Sequence, residues 1–420
     1  MDYFEINGPC KLHGKVKISG AKNSSLPIIA STLLSKNGIK ITNVPNVKDI
    51  NTLLDLMEDI GSTFTMNKNQ VYINNENINS YKADYNIVKK LRASILLLGP
   101  LLARFNKCDI SFPGGCAIGT RPVDLHLQAL ESMGATFKIK NGYIYGAAPN
   151  GLFGSEFEFS KKTVGGTENA LMAASLAKGK TTLKNVALEP EIEQLCNFLV
   201  EGGIEINGIG TNTLEVNGSG GKLLNFKSCE IIPDRIEAGT FLCAAGITNS
   251  SITLENINAN HIQSVINKLK EVGFTFSFGE NSLTINKAKK LSGCNIETLE
   301  HPGFPTDLQA QFMALCLNCE GESNVKENLF ENRFMHISEL NRMGADITVN
   351  GNVAHIIGPK NLTGANVMAS DLRASSALII GALIAKGTTN VDRIYHLDRG
   401  YENFEEKLSK LGVKISRLRK

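Results

Sequence analysis

The sequence predicts a mixed α/β (α+β) protein of two domains, built from six βαβαββ repeats with three repeats in each domain. A chain of 420 residues is longer than one hydrophobic core usually serves, so two domains are expected. Because 42% of the residues are hydrophobic and 20% are charged, the chain can bury large cores, which excludes a disordered or collagen-like protein. The third observation, an internal repeat, gives the number of units.

Six amphipathic segments, among them LLDLMEDIGSTF and EEKLSKLGVKI, each end in a glycine that a strand-like run follows. The glycines are Gly61, Gly134, Gly203, Gly273, Gly344 and Gly412. Successive glycines are 68 to 73 residues apart. A glycine at a helix C-terminus is common, but six at this regularity indicate a repeat that accounts for the whole chain.

The order of patterns also recurs inside each repeat. A helix rich in small residues is followed by a strand such as GKTTLKNV, a connector, an amphipathic helix and two short alternating strands. Ile50, Leu53 and Met57 show the helical spacing, and Ile39 and Ile41 alternate as in a half-buried strand. Because a 70-residue unit of this kind buries itself poorly, several units must pack their apolar helices together behind a covering of sheet.

The domain boundary is expected between the third and fourth repeats, where the run VNGSGGK supplies flexible residues. One predicted domain comprises residues 22–231, and the other comprises residues 1–21 with residues 232–420. The N-terminal segment FEINGPCKLHGKVKI is expected to pair with the last repeat and to close the second domain.

Charge, termini and cysteines limit the class of protein. A net charge of +3 is too small for a protein that coats nucleic acid or an anionic membrane. The N-terminus carries no apolar signal and the apolar stretches are too short for a bilayer, so we expect a cytoplasmic protein with no membrane partner. The nine cysteines fit no disulfide framework. For the CxxC pair Cys316 and Cys319, buried small side chains are favoured over a metal or redox pair.

Four cations stand near the start of predicted first helices: Lys22, Arg92, Arg235 and Arg373. Cations are disfavoured at a helix N-terminus by about 0.3 to 1 kcal/mol. Their nearly equivalent places in the repeat predict that they converge. Such a cluster needs anions, and these are either a bound phosphate or carboxylate, which we favour, or internal acids such as Asp234, Glu237 and Asp371.

The second repeat replaces the usual short connector by SFPGGCAIGTRPVDLHLQ. Long irregular loops on a rigid scaffold more often carry function than packing, so this loop is interpreted as a lid. Cys116 lies at its tip, where backbone amides and Arg121 would lower the pKa of the thiol and make it reactive. The alternative is an incidental surface cysteine.

Asp307, in HPGFPTDLQAQ, begins the first helix of the fifth repeat. It is either an ordinary acid in a helix N-terminal turn or, beside several cations, an ionised general base for a hydroxyl. The last connector, DRIYHLDRGYE, carries Arg393, His396, Asp398 and Arg399, which are expected to face the same cleft. No Walker, Rossmann, HExxH or paired CxxC motif is present in the sequence, so we expect chemistry without a metal or a cofactor.

Six motifs in order, SGAKN, PGGCAIGTRPVDLH, FPTDLQAQ, ENRFMH, ASDLRAS and DRIYHLDRGYE, resemble the enolpyruvyl transferases, and among them the branch that acts on UDP-N-acetylglucosamine. The resemblance implies a two-domain inside-out α/β barrel, with helices inside, sheets outside and the active site between the domains. The implied reaction transfers the enolpyruvyl group of phosphoenolpyruvate to the sugar 3-hydroxyl by addition and elimination, and releases phosphate. It is the first committed step of peptidoglycan synthesis. No nucleic acid or membrane partner is implied, and a monomer is expected.

The resemblance also assigns roles to residues. Cys116 is the implied proton donor and the thiol that fosfomycin alkylates, and Asp307 deprotonates the attacking hydroxyl. Phosphoenolpyruvate is held by Lys22, Asn23, Arg121 and Arg399, of which Lys22 and Arg399 also count as catalytic. The implied contacts to UDP-N-acetylglucosamine are Arg92, Arg121, Pro122, Val123, Asp124, Leu125, Lys161, Lys162, Thr163, Val164, Gly165, Asp307 and Leu329, with Pro122 and Leu125 offering apolar faces to uracil. Arg333, Asp371 and Arg373 match supporting cleft positions.

Two departures from the pattern are minor: Leu188 stands where a basic residue is expected, and Gly166 replaces an alanine. Three other functions remain as alternatives. One is the sister enolpyruvyl transferase that uses shikimate 3-phosphate and lacks the PGGC loop. Another is a non-catalytic paralogue that binds the sugar nucleotide and regulates a partner. The third is a clamp-like nucleic-acid protein, which the small net charge disfavours.

Overall fold

A computed structural model describes residues 2–83, 91–112 and 123–419 of the chain. The strands are β1 (Asp2–Gly8), β2 (Lys15–Lys17), β3 (Ile39–Thr42), β4 (Thr63–Asn67), β5 (Gln70–Asn74), β6 (Lys82–Ala83), β7 (Lys107–Ser111), β8 (Thr136–Lys140), β9 (Tyr143–Ala147), β10 (Glu156–Glu158), β11 (Lys178–Lys184), β12 (Glu205–Asn207), β13 (Thr213–Ser219), β14 (Ser228–Glu230), β15 (Ile252–Glu255), β16 (Thr275–Phe278), β17 (Ser282–Asn286), β18 (Ile296–Glu297), β19 (Gly321–Lys326), β20 (Ile347–Asn350), β21 (Val353–Gly358), β22 (Asn366–Met368), β23 (Gly387–Asp392) and β24 (Ile415–Arg419).

Helices alternate with these strands along the chain. They are α1 (Lys22–Ser31), α2 (Lys48–Asp59), α3 (Leu98–Phe105), α4 (Asp124–Ser132), α5 (Val164–Leu176), α6 (Pro190–Glu201), α7 (Arg235–Ile247), α8 (Gln263–Val272), α9 (Gln309–Cys316), α10 (Ile337–Arg342), α11 (Leu372–Ala382) and α12 (Phe404–Lys410). Short 3-10 helices span Thr32–Leu34, Arg92–Leu97, Ala259–Ile262, Thr306–Leu308 and Ile394–Arg399. No helix in the described part of the chain is both long enough and apolar enough to cross a membrane.

The chain divides into two compact units. We call residues 20–83, 91–112 and 123–232 the central unit, and residues 2–19 with 233–419 the terminal unit. Each unit has its own hydrophobic core among the described residues. The mixed α/β fold class is confirmed.

Within the described residues, each unit holds three four-stranded sheets of one topology. In the sheet of the third repeat, the strand order is β10-β11-β13-β12. Strands β10 and β11 run parallel, and the other neighbouring strands are antiparallel. With α5 after β10 and α6 after β11, this repeat is βαβαββ, as predicted. The six glycines that mark the period follow the second helix of each repeat and have φ between 95° and 125°, a conformation that glycine adopts without steric cost.

Three strands that lie outside the simple repeat order complete sheets. β1 lies between β23 and β24, with Phe4 opposite Val391 and Ile6 opposite Ile415. β2 runs parallel to β15, and β14 runs parallel to β3. The prediction that the N-terminal segment pairs with the last repeat is confirmed for β1 but is wrong for β2, which pairs with a strand of the fourth repeat. Each of the other sheets takes both strands of its antiparallel hairpin from one repeat. The sixth repeat ends at β24 and supplies only one of these strands, and β1 supplies the other.

The first helices of the repeats are buried most completely. All residues of α9, and all of α7 after Arg235, are buried, whereas α2 and α8 bury one face only. Small residues allow the close packing of α7 on α9: a Cβ at Gly246 would lie 2.6 Å from Leu315 Cδ1. Cys316 and Cys319 are also buried at the end of α9, which confirms that they are core side chains. A hydrogen bond with Cys319, together with burial, raises the pKa of Cys316.

Candidate functional site

The predicted site residues that the structure describes lie in both units. Cys116, Arg121 and Pro122 lie outside the described residues, and so does the side chain of Arg92, whose backbone begins a 3-10 helix. The predicted reactivity of Cys116 and the predicted convergence of the helix-start cations therefore stay predictions. The described part of the chain contains no group of three or more His, Cys, Asp or Glu that could hold a metal ion.

Asp307 is the centre of the polar cluster in the terminal unit. It lies in the 3-10 helix Thr306–Leu308, which leads directly into α9. Arg333 Nη2 donates to Asp307 Oδ1 at 2.7 Å, and Arg373 Nη2 donates to Oδ2 at 3.0 Å. Each carboxylate oxygen therefore binds a different arginine. The Asp307 side chain remains 27% exposed, whereas the two arginine side chains are 4% and 7% exposed.

The charges of this cluster keep Asp307 ionised. Desolvation by itself would raise the pKa of Asp307, but the charges and hydrogen bonds of Arg373 and Arg333 outweigh it and hold the pKa well below its ordinary value. Desolvation alone would lower the pKa of Arg373, but the attraction of Asp307 raises it overall. One carboxylate between two guanidinium groups leaves a net positive charge, which suits an anionic ligand.

The start of α11 positions Arg373. Asp371 is the N-cap residue, and its Oδ1 accepts the backbone N–H groups of Arg373 at 2.8 Å and Ala374 at 3.0 Å. Arg373 Nη1 donates to the Tyr401 hydroxyl at 3.2 Å, and its guanidinium lies 5.5 Å from the centre of that ring. Asp371 is thus a helix cap beside the cluster.

A buried network continues behind Arg373. The hydroxyls of Tyr401 and Thr240 lie 2.8 Å apart, and Gln311 Nε2 donates at 3.2 Å to both. Gln311 Nε2 also donates to the backbone carbonyl of Asp307 at 2.9 Å. The network links the turn that carries Asp307 to the side chain that orients Arg373.

The other predicted residues of the terminal unit lie in connectors. Leu329 and Arg399 are both half-buried, and Arg399 ends the 3-10 helix Ile394–Arg399. Asp398, which we expected to face the cleft, accepts hydrogen bonds from Arg417 Nη2 at 2.7 Å and Nη1 at 3.1 Å. Burial lowers the pKa of His396, and the neighbouring Arg399 lowers it further.

Lys22 is the first residue of α1 in the central unit. Its Nζ lies 3.3 Å from Asp49 Oδ2, and the side chains are 12% and 6% exposed. Asn23 is half-buried, and the Ser24 hydroxyl donates to Gln194. Lys22 is therefore held near a carboxylate at a helix start where the N-cap residue contributes no side-chain hydrogen bond.

The segment Lys161–Gly165 forms the start of α5. Thr163 is the N-cap residue, and its Oγ1 accepts the Gly166 N–H at 3.3 Å. Lys161 and Val164 are exposed. A helix N-terminus with exposed neighbours and lysines suits the binding of an anion such as a diphosphate.

The segment Val123–Leu125 enters α4, where two of the predicted contacts are buried. Asp124 is exposed, but Val123 and Leu125 are only 6% and 5% exposed and belong to the hydrophobic core. The expected contact of Leu125 with uracil therefore stays a prediction. The place of Leu125 in α4, one turn before buried Ala129, directs it into the core.

Lys22 and Arg373 pair with Asp49 and Asp307, which were not among the expected internal acids, although the charge of Asp234 also acts on Arg373. Asp234 Oδ1 caps α7 by accepting the N–H groups of Ile236 and Glu237, at 2.8 and 2.9 Å, and Glu237 pairs with Lys407. Sequence reasoning did not identify Asp49, because an acid in the first turn of a helix is ordinary. Tyr401 and Gln311 were also missed, since their partners are distant in sequence.

The chain is similar in sequence to a protein family and to proteins of known name. A family model described as EPSP synthase (3-phosphoshikimate 1-carboxyvinyltransferase) matches residues 6–408. The UDP-N-acetylglucosamine 1-carboxyvinyltransferase of Campylobacter lari is 59% identical over 418 residues, with all of both chains covered. The protein of the same name from Helicobacter hepaticus is 57% identical over 420 residues, again with complete coverage.

Solved structures show the fold. The enolpyruvyl transferase NikO from Streptomyces tendae matches with a TM-score of 0.89 at 23% identity, over 99% of this chain and 98% of its own. An EPSP synthase from Acinetobacter baumannii matches with a TM-score of 0.77 at 18% identity over the full length of both chains. These similarities confirm the two-domain inside-out α/β fold that the repeats predict.

Proposed function

The chain belongs to the EPSP synthase family and is a carboxyvinyltransferase, and on this premise we propose that it transfers the enolpyruvyl group of phosphoenolpyruvate to the 3-hydroxyl of UDP-N-acetylglucosamine. The choice of acceptor rests on one observation. Relatives that are 57–59% identical over the full length bear the name of that sugar nucleotide, whereas the matching EPSP synthase structure is 18% identical. In the cell the reaction would take place in the cytoplasm, as the first committed step of peptidoglycan synthesis, and the enzyme would act as a monomer.

Asp307 is the proposed acceptor of the proton from the sugar hydroxyl. Its low pKa keeps the carboxylate ionised at neutral pH, and the two arginines fix both of its oxygens. The partly exposed carboxylate can bind the hydroxyl and orient it toward C2 of phosphoenolpyruvate. Orientation and electrostatic stabilisation by the arginines supply much of the rate in such a site.

The proposed steps balance as an addition followed by an elimination. The sugar oxygen bonds to C2 of phosphoenolpyruvate while its proton passes to Asp307, and the Cys116 thiol protonates C3. The resulting tetrahedral intermediate returns a proton from C3 to the Cys116 thiolate and expels phosphate, which takes up the proton held by Asp307, so that the double bond and both side chains are restored. Fosfomycin would alkylate the same thiol.

Cations at helix starts and in connectors are proposed to hold the substrates. Lys22, Asn23, Arg121 and Arg399 would bind phosphoenolpyruvate, whose phosphate and carboxylate are both anionic. The N-terminus of α5, with Lys161 and Lys162, would meet the diphosphate of the sugar nucleotide. The remaining proposed contacts to the sugar nucleotide are Arg92, Arg121, Pro122, Val123, Asp124, Leu125, Thr163, Val164, Gly165, Asp307 and Leu329.

An acceptor assay tests the proposal. Phosphate release from phosphoenolpyruvate should require UDP-N-acetylglucosamine, and shikimate 3-phosphate, which the family name favours as the alternative acceptor, should not replace it. Release with shikimate 3-phosphate alone would overturn the choice of acceptor. Binding of both proposed substrates without phosphate release would support the non-catalytic alternative instead.

Cys116→Ala tests the role of the thiol. The variant should lose product formation and labelling by fosfomycin, while binding of UDP-N-acetylglucosamine stays within a few-fold of wild type. Cys229→Ala is a suitable control because Cys229 is a partly exposed cysteine in β14 of the central unit. Full turnover by Cys116→Ala would remove the thiol from the mechanism.

A further inference from the structure

Glu327 is a buried carboxylate that directly follows β19 and is 3% exposed. Its Oε1 accepts the backbone N–H groups of Leu329 at 2.9 Å and Phe330 at 3.2 Å, and the Thr298 hydroxyl at 2.9 Å. Its Oε2 accepts the Thr306 hydroxyl at 2.8 Å. Four donors from three chain segments therefore converge on one side chain.

A buried carboxylate is costly unless hydrogen bonds satisfy its oxygens. Hydrogen bonds to an ionised acceptor are stronger and more directional than those between neutral groups. The four donors around Glu327 therefore stabilise the carboxylate and are in turn held in fixed positions. Two of the donor segments carry residues of the candidate site.

The contacts form a closed ring. Thr306 donates to Glu327 and directly precedes Asp307 in the chain. Asp307 accepts from Arg333, which lies four residues after Leu329, and the Leu329 N–H returns to Glu327. The ring ties the turn that carries Asp307 to the loop that carries Arg333 by hydrogen bonds at both ends.

We infer that Glu327 is a positioning residue for the proposed reaction: through Thr306 and the Leu329 amide it fixes the Asp307 carboxylate relative to Arg333. This inference rests on the proposed function, because it treats Asp307 as the group that accepts the hydroxyl proton. Glu327 itself contacts none of the reacting atoms in the proposed mechanism.

Thr298 provides a matched internal reference. Its hydroxyl donates to the same carboxylate over nearly the same distance as Thr306, 2.9 Å against 2.8 Å. It follows β18 and carries no proposed site residue beside it. Thr298 Oγ1 also accepts the Asn328 N–H at 3.0 Å, and the residue is fully buried. Loss of the Thr298 hydroxyl therefore removes at least as many hydrogen bonds as loss of the Thr306 hydroxyl.

The experiment compares Thr306→Val with Thr298→Val. Thr306→Val should lower kcat about 10-fold, because small displacements of a reacting group cost this much, with the KM for phosphoenolpyruvate unchanged. Thr298→Val should lower the midpoint of thermal unfolding at least as much as Thr306→Val. It should nevertheless leave kcat within about threefold of wild type, because only Thr306 is directly joined to Asp307 in the chain. Equal losses of kcat in the two variants, or wild-type kcat in Thr306→Val, would overturn the inference.

Variants of Glu327 supply a second measure. Glu327→Gln keeps the shape and one acceptor oxygen, so it should recover most of the kcat that Glu327→Ala loses. Equal kcat in the glutamine and alanine variants would count against a positioning role.

A crystal structure of Thr306→Val tests the geometry without any assay. The Asp307 carboxylate should turn away from Arg333, beyond the 2.7 Å contact of the wild type. An unchanged contact would contradict the inference even if the enzyme used another acceptor. Absence of phosphate release with UDP-N-acetylglucosamine in the wild type would instead contradict the proposed function.

Discussion

The two units present their candidate site residues in different ways. In the terminal unit the Asp307 carboxylate lies between two buried arginines, and Tyr401 and Gln311 bind the same cluster from behind. In the central unit Lys22 pairs with Asp49, and Thr163 caps a helix whose first residues are exposed. The terminal cluster is therefore organised by buried charges, and the described part of the central site is organised by helix starts. Substitutions should accordingly have larger effects in the terminal unit.

Among the residues that the structure describes, the largest effect is expected from Asp307→Asn. The amide keeps the size of the side chain but cannot accept a proton, so kcat should fall roughly 10²- to 10⁴-fold. Steady-state phosphate release measures the loss. Asp398→Asn is the control. Asp398 also accepts two hydrogen bonds from arginine, in this case both from Arg417, and the variant should retain kcat within a few-fold of wild type. Similar losses in both variants would show that breaking an arginine pair, rather than removing the base, limits the rate.

Arg373→Lys should have the next largest effect. Lysine keeps the charge but loses the planar group that contacts both Asp307 and the Tyr401 hydroxyl, so kcat/KM should fall by about 10- to 100-fold. The matched control is Arg417→Lys, which changes an arginine that pairs with Asp398 and Glu405 at the surface. If Arg373→Lys is as active as Arg417→Lys, the terminal cluster needs only charge and not geometry.

Acid should destabilise the terminal unit through His336, which is 2% exposed. Burial lowers the pKa of His336 to about 4; nearby Asp371 opposes this shift and Arg333 adds to it. Between the ordinary pKa near 6.5 and about 4, the unfolded chain binds a proton that the native His336 does not. The free energy of unfolding should therefore decrease as the pH falls through this range, by roughly 3 kcal/mol for this group.

Urea denaturation of wild type and His336→Gln at pH 7 and pH 4.5 measures this effect. The variant should be less stable at pH 7 but should lose less stability on acidification. His355→Gln is the control, because it removes a histidine of the same unit whose side chain is 35% exposed. Equal destabilisation of His336→Gln and wild type by acid would show that burial does not lower the pKa of His336 in the native protein.

The repeat architecture could be predicted from the sequence because it has a local signal. A positive φ at the end of a helix selects glycine, so Gly61 and its five equivalents mark the period directly. The start of α11 was expected in the segment that carries Arg373, and Asp371 caps it in the structure. The pairing of the N-terminal segment with the last repeat was also expected, but the reason for it, a last repeat that lacks one strand, is seen only in the sheet order.

The details of the site could not be predicted in the same way. Glu327 looks like any polar residue after a strand, and only the fold brings Thr298 and Thr306 to its oxygens. Leu125 was expected at a ligand because its segment matches a motif, but the helical position that buries it depends on where α4 begins. Contacts between residues that are distant in sequence leave no periodic trace in the chain.

The smallest expected effect tests the central unit. Thr163→Ala removes the side-chain acceptor of the Gly166 N–H at the start of α5, and loss of such a cap costs about 1 kcal/mol of stability. If the N-terminus of α5 binds the diphosphate, the KM for UDP-N-acetylglucosamine should also rise a few-fold, because the first turn that presents its N–H groups loosens. Thr163→Ser keeps the hydroxyl and should restore both quantities. A loss of stability without any change in KM would show that α5 is only part of the scaffold, and the comparison between the two units would then rest on Lys22 alone.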